Sequence, residues 1–162
     1  MKIKRLVIMI LIALLFAVPA FAAGTITGAI ERIETTQGRP RLVILTLTCL
    51  ADSVNGSFPA AINISDMTAL AAYDLRGLKL YSVATIPGAV GPTDNSDMTL
   101  LDRYGIDILA GTGSNIIDNT ALNRVVIGGA SAVLVTGDLT ITITGNSVNS
   151  AAFTIVLELT GL

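Results

Sequence analysis

Polar and apolar positions alternate most strictly near the end of the chain. In the run 139–144, Leu139, Ile141 and Ile143 fall on one face and Thr140, Thr142 and Thr144 on the other, the period of two that marks a half-buried strand. After the turn residues Gly145 to Ser150, the run 153–159 places Phe153, Ile155, Leu157 and Leu159 on a single face. The two runs read as an antiparallel hairpin that closes the domain. Leu42 to Leu45 is apolar on both faces before alternation sets in, which predicts a central strand. Thr25 to Glu34 predicts the strand before it, with Gln37 to Pro40 as the turn. Its pattern slips between Ile30 and Ile33, and such a slip predicts a bulge or an irregular edge.

Further strands are expected over 78–86, 98–102, 106–109, 122–127 and 132–135. Pro87-Gly88, Arg103-Tyr104-Gly105, the polar stretch 111–120 and Gly128-Gly129 punctuate them. One segment has helical spacing: Asp66 can cap, Met67, Leu70 and Ala71 recur at helical intervals, and Gly77 can end the turn, predicting a short helix over 66–73. The predicted fold is all-β: one antiparallel β-sandwich, jelly-roll-like, with a single short helix and an N-terminal hydrophobic helix.

That N-terminal segment has its own logic. Met1 to Arg5 is basic, Leu6 to Val18 is unbroken apolar sequence, and Pro19 precedes small residues at Ala20 and Ala22. The order matches a Sec-type signal peptide with an A-x-A site, so residues 1–22 are expected to be removed and 23–162 to form the domain. Retention as a membrane anchor is the alternative, although the apolar stretch falls short of the ~20 residues of a spanning helix. The membrane would then be contacted only through this uncleaved segment. Export is expected to place the domain in the periplasm, outside the cell, or on a surface.

Composition narrows the chemistry. Hydrophobic residues make up 52% and charged residues 14%, too apolar a balance for a disordered chain. Three of the ten basic residues and none of the twelve acidic ones lie in the first 22 positions, so the remainder is acidic. An acidic surface without a Lys/Arg cluster repels phosphate backbones, and nucleic acid is not expected as a partner. The chain has one Cys and no His or Trp, which removes intrachain disulfides, Cys- or His-based zinc sites and imidazole-based triads. Cys49 sits in an apolar run, where a buried, inert thiol is the plain reading and a reactive or intermolecular thiol the alternative.

Asp94, Asp97, Asp102 and Asp107 form the densest acidic stretch, but without the D-x-D-x-D-G spacing of a calcium loop they read as turn caps and solvated carboxylates. A glycosidase pair of carboxylates is disfavoured by the 4% aromatic content. Gly111 to Asn115 resembles a phosphate loop only superficially, since the GK[ST] ending is missing. Lys79, the only lysine after residue 22, reads as an outward charge on a strand, and no Ser or Thr has a partner that would activate it. No catalytic, cofactor-binding or metal-binding residue is assigned, and no cofactor is expected.

Gly77-Leu78, Thr85-Ile86-Pro87-Gly88-Ala89, Pro92 to Leu100, Asp102, Gly105 to Leu109 and Gly137 to Ser150, taken as a set, resemble small β-rich structural proteins of tailed bacteriophages, of the decoration or accessory virion type. The resemblance covers the chain from about Leu42 onward. In that family the acidic turn reads D-E-D-G-x-D, whereas here Asp102-Arg103-Tyr104-Gly105-Ile106-Asp107 replaces it, and an N-terminal export segment is a second departure. The resemblance implies an assembly or surface role and no reaction.

Two function classes follow. One is a non-catalytic structural subunit on a virion surface. The other is an exported bacterial envelope sandwich acting as an adhesin-like or filament-forming subunit. In both, the partner is protein, met by self-association or by docking onto a capsid or envelope lattice. The Thr-rich faces of the last two runs and a final strand guarded only by Glu158 point to a sheet edge or face as the contact, with Val156 on it if that side chain faces outward.

Overall fold

A computed structural model describes residues 24–34, 40–128 and 132–161. The basic-apolar segment 1–22 and the turn read at 37–40, apart from Pro40 itself, lie outside the described residues. Nine strands are described: β1 (Thr25–Glu34), β2 (Pro40–Leu50), β3 (Ile62–Asn63), β4 (Lys79–Pro87), β5 (Asp97–Leu101), β6 (Asn123–Val126), β7 (Val133–Leu134), β8 (Thr140–Thr144) and β9 (Ala152–Thr160). Every pairing among them is antiparallel. They form a larger sheet ordered β1-β2-β9-β4-β6, with β7 pairing the start of β4, and a smaller one ordered β3-β8-β5. The all-β, antiparallel, sandwich-like reading therefore holds. A six-and-three division of strands does not by itself establish a jelly roll.

The alternation found in the sequence is the alternation of burial. Val43, Leu45, Leu47 and Cys49 of β2 and Phe153, Ile155, Leu157 and Leu159 of β9 point into a single core, together with Met98 and Leu100 of β5 and Leu139, Ile141 and Ile143 in and before β8. Phe58 meets Phe153 edge-on, the ring centroids 5.3 Å apart. β2 is central, as its doubly apolar start requires: Leu42 and Ile44, on the outer side, remain half-buried between neighbouring strands.

The closing hairpin is overturned. β8 and β9 do not pair; β8 lies in the small sheet between β3 and β5, and β9 lies in the large sheet between β2 and β4. Each carries one wholly apolar face, and two such faces are covered best by facing each other across the core. Residues 145–151 make the crossing. Gly145 turns the chain at a φ of 86°, and the Asn146 side chain ties the crossing down, its amide donating to the carbonyl oxygens of Gly56 (2.6 Å) and Val148 (3.0 Å) while its oxygen accepts from the Thr93 N–H (2.8 Å).

The helix over 66–73 is also corrected. Ile64–Asp66 forms one 3-10 turn, and Met67 to Tyr73 continue as hydrogen-bonded turns with no α-helix. The apolar spacing there serves packing: Met67 and Leu70 are buried beneath β1, where Gly28 leaves no room for a Cβ beside the Leu70 side chain. The expected strand at 106–109 is a turn segment joined to β5 by a single bridge, Leu101 to Asp107, with Ile108 and Leu109 buried. The slip in β1 is a change of side. Ile26, Gly28, Ile30 and Arg32 form the inward row, Arg32 lying 5.8 Å over the Tyr73 ring, and Ile33 points outward at 47% exposure; the register shifts only between Ile33 and Glu34.

Candidate functional site

The acidic residues singled out in the sequence are spread over turns and the start of β5, and three of the four are engaged by backbone. Asp102 accepts from the N–H groups of Tyr104 (2.8 Å) and Ile106 (3.0 Å). Asp107 accepts from Leu109 (3.1 Å), Leu100 (3.3 Å) and Gly111 (3.0 Å), and Asp97 from Asn115 (2.7 Å). Asp94 stays exposed on its turn. These are side-chain turns in which a carboxylate replaces a backbone acceptor. Gly111 to Asn115 is likewise structural: the Gly113 carbonyl accepts from the Met98 N–H (2.9 Å), padding the outer edge of β5. Cys49 is fully buried, and burial pushes its thiol up to about 12, far from the nucleophilic range. Lys79 is half-buried at the start of β4.

An open cleft of about 470 Å³ was not legible in the sequence, because its walls come from segments far apart in the chain. Ser65, Tyr73, Asp74, Arg76, Arg103 and Asp138 are among its lining residues. Asp74 grips the Arg76 guanidinium through Nε (2.8 Å) and a terminal nitrogen (2.5 Å), and those hydrogen bonds hold its carboxyl down to about 2. Asp138 accepts from the Leu139 N–H (2.9 Å), the Ser65 N–H (3.2 Å) and the Ser65 hydroxyl. Arg103 lies 5.0 Å over the Tyr104 ring. Both carboxylates and Arg76 are thus held in bonds within the chain, and Arg103 is the lining cation that pairs with no carboxylate among the described residues.

The outward face of the large sheet is the other extended surface. Across β1, β2, β9, β4 and β6 the register aligns Ala29, Thr46, Val156, Ala84 and Arg124 in one row and Thr27, Thr48, Thr154 and Ile86 in the next. Besides Glu31 at its edge, charge on it forms a network: Glu158 pairs with Arg124 and accepts from the Ser82 hydroxyl (2.7 Å), and the Ser82 bond followed by Arg124 lowers the Glu158 carboxyl below its ordinary range. The final strand is therefore not an edge guarded by a lone Glu158. It is central, and its glutamate is paired. The bare edge lies elsewhere: apart from its pairing with β2, no residue from Thr25 to Glu34 makes a backbone hydrogen bond to any described residue.

No protein-family model and no curated protein sequence matches the chain. Among solved structures, a chain of the cyanophage Pam1 capsid asymmetric unit is similar over 91% of this chain and 93% of that one, at 12% identity and a TM-score of 0.33, an overlap too loose to carry an argument about function.

Proposed function

We propose that this protein is a non-catalytic structural subunit that works by assembling with protein, as a decoration or accessory subunit on a virion surface. The observation that carries the reading is the outward face of the large sheet: lined mostly with Thr, Ala, Val and Ile, bearing the Glu158–Arg124 pair with Glu31 in the same row, and bounded by β1 as an edge strand. Such a face supports sheet structure with little charge to repel a neighbour. The family resemblance of the sequence from Leu42 onward supports the same role. A second reading, an exported envelope subunit, is favoured by the basic-apolar-A-x-A order of Met1 to Ala22.

Sedimentation velocity on the protein recovered from a secretion-competent host, from micromolar to several hundred micromolar, is expected to show reversible growth in size. A strictly monomeric species that also fails to co-sediment with phage capsids or cell envelopes overturns the assembly reading. Intact mass separates the two settings, since loss of residues 1–22 supports the exported form.

A further inference from the structure

Resting on that assembly reading, we infer that the partner of the free β1 edge is the β1 edge of a second copy, paired antiparallel about a two-fold axis at Ala29 so that the two large sheets become one. The other strand edges are short or occupied. β3 and β7 have two residues each and β6 four, and the outer side of β5 is bonded by Asp107, Ile108 and Gly113. β1 has ten residues, and along an antiparallel edge about half of them direct both N–H and C=O away from the sheet. Another extended strand satisfies the whole of such a row at once. The inward row of β1 is already covered by its own chain through Met67, Leu70 and Tyr73, so a neighbour can add at the edge without uncovering the core.

Charge narrows the register. Residues opposed across an antiparallel pair share a face, so odd positions of β1 meet odd and even meet even. Centring the axis on Glu31 opposes two glutamates, and centring it on Arg32 opposes two arginines. Centring it on Ala29 pairs nine of the ten residues, places Glu31 opposite Thr27, Ile33 opposite Thr25 and Arg32 opposite Ile26, and opposes no like charges. An axis on Ile30 also avoids like charges but sets Glu31 opposite Ala29, so that Ala29→Lys would tighten association and overturn the Ala29 axis. The edge is self-complementary in that register. Ala29 is exposed and points outward, which makes the axis accessible to substitution.

The test uses the full chain as a secretion-competent host yields it, with far-ultraviolet circular dichroism to verify the fold of each variant. Ala29→Lys and Ala29→Glu each oppose like charges at the axis and are expected to weaken self-association about fivefold or more, while an equimolar mixture of the two restores it. Thr27→Lys faces Glu31 and is expected to tighten association, and Thr27→Glu to loosen it. If the parent chain associates and these four variants leave it unchanged, the β1 pairing is overturned while assembly through another surface stands. A parent that stays monomeric up to several hundred micromolar overturns the pairing outright. A monomer whose binding to capsid or envelope is lost on Ala29→Lys assigns the edge to a different protein's strand, which overturns the two-fold.

Discussion

Asn146 is the side chain that holds the crossing between the two sheets. It joins three loops through two donated and two accepted bonds, three of them 3.0 Å or shorter. Its removal leaves the buried Gly56 carbonyl and the half-buried Thr93 N–H without this partner. Asn146→Ala is expected to cost about 2–3 kcal/mol, read as a lower urea midpoint with an unchanged m-value. Glu158 makes a pH-dependent contribution of opposite character, being electrostatic and on the outer face. Its folded pKa lies below the ordinary 4.5, so the folded state favours the carboxylate; the stabilisation is fully present above that value and disappears as pH falls through the folded pKa. Because the pair is partly exposed, it is worth at most about 1 kcal/mol. Thermal melts should find Glu158→Gln less stable than the parent at pH 7, with the gap narrowing as pH falls below the ordinary carboxylate range.

Among the strands, β9 matters most, since it joins β2 to β4 and carries four side chains buried to 2% exposure or less. Leu157→Ala, in the middle of that row, is expected to destabilise by about 2–5 kcal/mol in denaturant melts, because tightly packed neighbours relax little into the cavity. That β9 is a strand, and which of its faces is buried, were both legible from Phe153 to Leu159, because burial on a pleated strand follows a period of two. Its neighbours were not legible. Alternation fixes the face a residue takes but not the strand beside it, and a six-residue turn after Thr144 suits a hairpin and a crossing equally until Asn146 has something to hold. Met67, Leu70 and Ala71 misled for a related reason: successive tight turns can set apolar residues on one side at intervals close to those of a helix. The cleft was invisible because Ser65 and Asp138 meet only through the fold. Asp102 and Asp107, by contrast, read as turn caps directly, since their hydrogen bonds reach two to four residues along the chain.

In the whole molecule, each sheet supplies one apolar face and the sandwich has a single core, so the outer face of the large sheet takes no part in holding the two sheets together. The connectivity that achieves this also orders events in time. β2 has one neighbour in the hairpin beside it, whereas the other, β9, is synthesised near the opposite end of the chain. At roughly 5–20 residues per second on a ribosome, that partner arrives several seconds after β2 has emerged. Until then the nascent chain carries a doubly apolar strand with one side unsatisfied, a substrate for holding chaperones. Late completion of the sheet thus lengthens the interval over which that strand has to be shielded.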